Sequence, residues 1–235
     1  MTLHDVRMLI TGGSAGIGRA LAAQAREQGA RVVLNGRDAE RLTAAAEALE
    51  LPAVAGDVGT DAAAIVAGAV EHLGGLDVLI NNAGWGRRMS LDELDAQVME
   101  AIWRSNVLGA ALMAQAALPH LEASPAGAIV NMASTAAGRG YAGGSAYSSS
   151  KFTLASLTQC WQAELRPRGI RVIQINPSEV QTGFGGADPE RPKDPHKLVA
   201  EDIAQATLSA LAMDPRGFVP ELTVFATNPW GTTGR

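Results

Sequence analysis

The sequence predicts an α/β fold: a doubly wound, seven-stranded parallel sheet in a three-layer sandwich, with helices on both faces. Three observations carry that expectation. Short β-branched or aliphatic runs alternate with Ala-rich amphipathic stretches, the pattern of βα units arranged around a parallel sheet. A glycine-rich turn at residues 11–18 joins the first apolar run to the first helical stretch. Finally, the 235 residues are 47% hydrophobic and 18% charged, enough apolar material to cover both faces of one sheet.

Seven runs read as strands, at residues 6–10, 31–34, 53–55, 76–80, 128–132, 171–175 and 218–224. Between the first two, Ile17, Leu21, Gln24 with Ala25, and Gln28 recur at helical spacing, and Gly29 closes that helix. A second helix starts from a cap at Asp38 and turns Leu42, Ala45 and Leu49 inward. Residues 91–121 hold two helices, and residues 147–165 hold another. Residues 177–199 break the rhythm, because Gly183, Gly185, Gly186, Pro189, Pro192 and Pro195 crowd into them; a long mobile loop is expected there. No repeat or charge block interrupts the series, so residues 1–235 are expected to form a single domain. Ligands of such a sheet bind beyond the carboxyl ends of the strands, where strand order reverses.

Composition narrows the function. A net charge of −5 leaves no basic surplus to hold a nucleic-acid backbone. The single cysteine, Cys160, excludes an internal disulfide and any multi-cysteine metal site, and it suits a reducing compartment. It lies in a helical apolar pattern and reads as a small core residue. His4, His72, His120 and His196 are scattered with no i,i+4 pair, so no metal site is expected. No apolar run approaches the roughly 18 residues that cross a bilayer. The first strand starts at residue 6, which leaves no space for a leader. The expectation is a soluble, cytoplasmic protein without a membrane or nucleic-acid partner.

The turn reads Thr11-Gly12-Gly13-Ser14-Ala15-Gly16-Ile17-Gly18. Glycines placed between a strand and a helix permit a tight turn and close approach of backbone to a pyrophosphate, and the helix N-terminus supplies N–H donors. Gly12, Ser14, Ala15, Gly16, Ile17 and Gly18 are therefore candidate dinucleotide contacts. At the end of the second strand, a carboxylate would bind an adenosine ribose and a cation would bind its 2′-phosphate. Arg37 stands about 20 residues beyond the turn, where that selector is expected, so NADP(H) is favoured and NAD(H) is the alternative. The adjacent Asp38 reads either as a ribose ligand or as a helix N-cap.

Tyr147-Ser148-Ser149-Ser150-Lys151 opens a helical stretch. Positions i and i+4 share a helix face, so a phenol and an ammonium stand side by side, and roughly 0.03 such pairs are expected here by chance. A neighbouring cation favours phenolate and lowers a tyrosine pKa from about 10, making the phenol a usable acid or base.

With these residues in order the chain resembles the single-domain short-chain dehydrogenases/reductases, which have a Rossmann-type sheet. The resemblance runs through Thr11-Gly12…Gly16-Ile17-Gly18, Asp57-Val58, Asn81-Asn82-Ala83-Gly84, Asn106, Ser134, Tyr147…Lys151 and Asn176-Pro177…Thr182. It implies that Tyr147 is the general acid/base and that Lys151 lowers its pKa and binds the nicotinamide ribose. It also implies that Ser134 hydrogen-bonds the substrate oxygen and that Asn106 holds a relay water. By the same resemblance Asp57 and Val58 border the adenine, and Asn82, Ala83 and Gly84 flank the cofactor backbone. Pro177, Val180 and Thr182 then fall on the nicotinamide side.

The chemistry agrees, since no side chain supplies hydride and a developing alkoxide needs both a proton donor and a second hydrogen-bond donor. The implied function is an NADPH-dependent oxidoreductase interconverting a small carbonyl compound and its alcohol. Two other readings stand beside it: a 3-oxoacyl thioester reductase and a non-catalytic NADP(H)-binding sensor. Val219-Pro220-Glu221-Leu222-Thr223-Val224 lacks the glycine-rich ending usual in 3-oxoacyl-ACP reductases. Ser178 replaces the family's usual glycine after Pro177, and Glu179 adds a charge beside it.

Other residues carry open alternatives. Arg87-Arg88 is either a solvated pair or a contact for an acidic substrate, and Trp85 and Phe184 either line a pocket or pack the interior. A homodimer or homotetramer is expected, with residues 147–165 at an interface to which Trp161 offers apolar surface. The loop at about 177–199 is expected to close over cofactor and substrate.

Overall fold

The computed structural model describes residues 2–188, 191–214 and 216–228. Seven parallel strands form one sheet in the order β3-β2-β1-β4-β5-β6-β7. They are β1 Arg7–Ile10, β2 Arg31–Gly36, β3 Ala53–Ala55, β4 Val78–Asn81, β5 Ala128–Met132, β6 Arg171–Pro177 and β7 Glu221–Val224. The α-helices are α1 Gly16–Glu27, α2 Ala39–Leu49, α3 Ala62–Leu73, α4 Ala96–Trp103, α5 Ala110–Glu122, α6 Ser145–Leu165 and α7 Ala200–Leu211. The chain winds outward from β1 to β3, returns to β4 beside β1, and continues to β7, which places the reversal of strand order between β1 and β4.

Strand periodicity explains the two helical layers. Successive side chains point to opposite faces. Met8, Ile10, Val32, Leu34, Val78, Ile80, Val130 and Ile173 join one buried cluster with residues of α1, α2 and α7. The alternating Leu9, Val33, Leu79, Ile129 and Val172 join another with α3 and α5. Both faces are apolar, so the strands read as continuous hydrophobic runs. Each fully buried Leu or Ile contributes about 1.5–3 kcal/mol of transfer free energy, which is what closes the sandwich.

Strand boundaries differ from the sequence reading by up to three residues. At the lower edge Arg7 donates through N, Nε and Nη2 to the Asp77 carboxylate, and Ser124 Oγ donates to it as well. That cluster ties β1, β4 and the turn before β5 together, while Val6 and Asp77 themselves fall just outside the regular strands. β7 begins only at Glu221, after Pro220, whose nitrogen has no proton to donate to a ladder.

Three further expectations need correction. Residues 91–121 hold more than two helices: a 3₁₀ turn at Leu91–Glu93 precedes α4, and a π-helical segment, Arg104–Gly109, separates α4 from α5. Cys160 is exposed rather than buried in the core. α6 turns Leu154, Ala155, Thr158 and Leu165 inward, and position 160 falls on the other face. Residues 177–199 are not irregular throughout. Pro177 ends β6, Val180 and Leu198 form a parallel bridge, and Phe184–Gly186 make a 3₁₀ turn. Pro189 lies outside the described residues.

Candidate active site

Almost every residue singled out in the sequence sits at or just beyond the carboxyl edge of the sheet. Gly12–Gly18 follow β1, Arg37 follows β2, Asp57 and Val58 follow β3, and Asn82–Gly84 follow β4. Ser134 follows β5, and Ser178–Thr182 follow β6. Asn106, Tyr147 and Lys151 come from the π-helical segment and α6. A doubly wound sheet gathers distant residues in this way because every strand runs in the same direction.

The turn after β1 has the shape of a cradle. Gly12 has φ +63, and a Cβ there would come within 2.9 Å of Ala83 Cα; a Cβ on Gly18 would strike the Gly12 carbonyl oxygen. Asn82 locks the turn: its Nδ2 donates to Thr11 O at 2.9 Å and Gly12 O at 3.2 Å, and Thr11 Oγ1 accepts from the Asn82 and Ala83 amides. Asn82 thus acts on the cradle itself. Helix α1 starts here with Ala15 as an extended N-cap that makes no side-chain cap bond, and its first turn carries no acidic residue. Its first N–H groups and the positive end of its dipole therefore face the cradle, which fits a dinucleotide pyrophosphate.

Beyond the carboxyl end of β2, Ser14 Oγ lies 3.5 Å from where a Cβ on Gly36 would sit. Arg37 is exposed, with its Nη1 3.7 Å from Asp57 Oδ2. Asp57 Oδ1 accepts from Gly59 N at 2.8 Å, and Val58 is buried. Asp38 resolves as an N-cap, its Oδ1 accepting from Arg41 N at 3.0 Å.

At the other end, Ser134, Tyr147 and Lys151 converge. Ser134 caps the 3₁₀ turn Thr135–Ala137, its Oγ accepting from Ala136 N, and its hydroxyl faces the Tyr147 phenol. Lys151 is 5% exposed; its Nζ donates to Met132 O at 2.7 Å and lies 5.8 Å from the Tyr147 ring centroid. Asn106, at 1% exposure, donates from Nδ2 to Trp85 O and Ser150 Oγ, and its Oδ1 accepts from Trp85 N. A Cβ placed on Gly84 would meet Asn106 Oδ1 at 2.9 Å and Lys151 Nζ at 3.7 Å, so these groups share one corner.

The electrostatics differ from the sequence reading. Burial pushes the Tyr147 phenol up to about 12, only partly opposed by the Ser134 hydroxyl beside it. Burial lowers Lys151 to about 8. The ammonium's hydrogen bond goes to the Met132 carbonyl, and burial outweighs any help it gives the phenolate, so the phenol's net shift is upward. A phenol held at about 12 is fully protonated near neutrality, the form that a proton donor requires.

Sequence reasoning left Trp85 and Phe184 open, and they part company. Trp85 packs beside Met89, Ile102 and Ala146. Phe184 sits on Tyr147, ring centroids 5.3 Å apart and planes at 59°. Arg88 stacks over Tyr141 at 5.4 Å. Trp161 is partly buried against the α3/α5 cluster. Glu179 pairs with Lys197 at 3.0 Å, and Ser178 N donates to Val224 O. Ser150 was missed: it accepts from Asn106 and donates to Tyr147 O at 2.7 Å, joining two candidate residues, and only its place between Tyr147 and Lys151 hints at that.

Comparison with known proteins gives a consistent set of likenesses. A short chain dehydrogenase family model matches residues 7–192. An uncharacterized oxidoreductase of Staphylococcus aureus strain USA300 is 33% identical over 228 residues, covering 94% of this chain and 97% of that protein. A short chain dehydrogenase from Burkholderia cenocepacia J2315, solved in complex with NADP, is similar with a TM-score of 0.86 and 32% identity, covering 96% of this chain and 98% of that one. A 3-ketoacyl-(acyl-carrier-protein) reductase from Brucella melitensis, complexed with NADH, is similar with a TM-score of 0.88 and 28% identity, covering 97% of this chain and 99% of that one.

Proposed function

The chain belongs to the short chain dehydrogenase family of oxidoreductases, and from that premise we propose that it is an NADPH-dependent carbonyl reductase, working on a small ketone or aldehyde and its alcohol. The observation that carries this reading is the convergence of Ser134, Tyr147 and Lys151 beside a glycine cradle that a Cβ would fill. In this reading residues 1–235 act as one cofactor-binding catalytic domain. The turn Gly12–Gly18 and the first N–H groups of α1 hold the pyrophosphate, Ser14 and Arg37 the 2′-phosphate, and Asp57 and Val58 the adenine. Asn82, Ala83 and Gly84 line the middle, Lys151 and Tyr147 the nicotinamide ribose, and Pro177, Val180 and Thr182 the carboxamide.

The cofactor, when bound, supplies the hydride. The chain's own residues do the rest. The Ser134 and Tyr147 hydroxyls donate to the substrate oxygen, and Tyr147 passes its proton to that oxygen as it becomes an alkoxide. The Lys151 ammonium stabilises the phenolate left behind, and the corner it shares with Asn106 is the route by which the proton is replaced. Phe184 covers Tyr147 from the loop after β6, and closure of that loop keeps water from the reacting oxygen.

A carbonyl-dependent loss of NADPH absorbance tests the whole reading and separates an enzyme from a binding-only sensor. The panel should contain free ketones and 3-oxoacyl thioesters, since likeness to the Brucella reductase supports the thioester reading as the second choice. The same assay run with NADH tests the selector. Arg37→Asp should weaken NADPH by about tenfold to a hundredfold relative to NADH, because a charge-assisted contact becomes a repulsion. An unchanged preference would place the selector elsewhere.

We further propose a homodimer or homotetramer in which α6 contributes the interface. Phe152 on α6 is 45% exposed, and it borders an open groove of about 540 Å³ that Trp103 and Tyr141 also line. A monomeric mass by light scattering at working concentration would count against it. Among the described residues no helix is long and apolar enough to cross a membrane, and an exposed free Cys160 fits a reducing compartment. We therefore take the cytoplasm as its place of action.

A further inference from the structure

The chain between β6 and α7 doubles back on itself, and one side chain fastens the two limbs. Gln181 is 5% exposed, although it stands in a segment rich in glycine and proline. Its Nε2 donates to Asp194 O at 2.9 Å and to Lys197 O at 3.1 Å, and its Oε1 accepts from Asp194 N at 2.7 Å. The backbone reinforces the same closure, because Gln181 N donates to Leu198 O at 2.9 Å and Val180 pairs with Leu198. Lys193 Nζ adds a bond to Gln181 O at 3.3 Å.

The neighbours of Gln181 reach toward the site. A Cβ on Gly16 would lie 3.4 Å from both Thr182 Cβ and Cγ2, so Thr182 rests against the dinucleotide turn. Two residues further on, Phe184 rests on Tyr147. Val180, on the other side, packs against the core cluster beneath α7. Beyond Phe184 come Gly185 at φ +71 and Gly186 at φ +83, where the chain turns easily.

We infer that Gln181 is a positioning residue: its amide latches residues 193–198 to the stem of the loop and thereby presents Thr182 to the dinucleotide and Phe184 to Tyr147. The chemistry selects an amide of this length. Two carbonyls need donors and one backbone N–H needs an acceptor, at the same buried spot. Methionine offers neither, glutamate loses the donors, and asparagine is one methylene shorter. The latch confines opening to the tip of the loop, since the stem is paired on both limbs. This inference leans on the proposed NADPH-binding reading for one of its two measurements only.

The test uses the full chain with Gln181→Met, Gln181→Asn and the unaltered protein. Amide hydrogen exchange is followed at residues 183–188 and 193–198 with and without NADPH, and NADPH affinity is measured by nucleotide fluorescence. Gln181→Met should speed exchange at 193–198 by about tenfold or more, since buried carbonyls and an N–H lose their partners. It should also raise the NADPH dissociation constant by about tenfold, with exchange in β1 and β4 unchanged. Gln181→Asn should fall between, and it carries the test if the methionine variant does not fold.

Unchanged exchange at 193–198 would overturn the latch. Faster exchange with unchanged NADPH affinity would overturn the positioning role, leaving a loop brace. If the unaltered protein binds no NADPH, the reductase reading fails, and the exchange arm alone decides the latch.

Discussion

Tyr147→Phe is expected to lower kcat for carbonyl reduction by about a thousandfold while NADPH affinity stays within about threefold. The ring survives the substitution, so its contact with Phe184 at 5.3 Å and its packing against the Gly86 backbone survive too. Only the hydroxyl is lost, the group that faces Ser134. General acid catalysis by one positioned group contributes about 10²–10⁴ in rate, and Ser134 alone can polarise the substrate oxygen but leaves the alkoxide without its proton. The pH profile separates this role from a structural one. With the phenol near 12 the acid stays loaded throughout the neutral range. With Lys151 near 8, reduction should decline as pH rises past 8 and the ammonium that stabilises phenolate is lost. A variant that keeps more than about a tenth of the unaltered rate would remove Tyr147 from the role of proton donor.

The features legible in the sequence are those set by local periodicity. Strand runs, the strand–glycine–helix order and the four-residue step from Tyr147 to Lys151 all belong to one element or one turn, so side-chain spacing alone reveals them. Features set by long-range packing were not legible. The π-helical segment Arg104–Gly109 carries no composition signal, yet it is the register shift that buries Asn106 while leaving Leu108 48% exposed. Cys160 fits an apolar helical pattern, but which face of α6 meets the sheet depends on Leu154, Thr158 and Leu165 acting together. The phenol's direction of shift was misread for a similar reason. Spacing placed a cation beside Tyr147, but it could not say that Met132 O would take the ammonium's hydrogen bond and that burial would dominate. Gln181 carries no signal in the sequence, because its partners stand at Asp194 and Lys197, beyond the reach of any local pattern.

Lys151→Met should abolish turnover, by about a thousandfold or more, and at the same time raise thermal stability near neutral pH. The ammonium is 5% exposed, and burial lowers it from 10.5 to about 8. The unfolded chain therefore holds this proton more tightly than the folded chain. At pH 7 both forms are charged, and the folded protein bears the full cost of the shift, about 3 kcal/mol. Between pH 8 and 10.5 the unfolded state still binds the proton that the folded state has released, so stability gained from this group rises with pH across that window. A methionine keeps an unbranched stem of similar reach and removes the charge, at the loss of the buried, charge-assisted Nζ bond to Met132 O, about 1.5–3 kcal/mol. The balance is a gain of up to about 1 kcal/mol, or up to about 2–4 °C in Tm for a chain of this size. A residue that is costly to bury yet placed beside the reacting phenol is explained by chemistry rather than by packing. Thermal scans of both proteins at pH 7 and pH 9.5 decide the matter. The variant's advantage should be present at pH 7 and shrink at pH 9.5, whereas a variant that melts lower at pH 7 and shows the same pH slope as the unaltered protein would make Lys151 a structural residue.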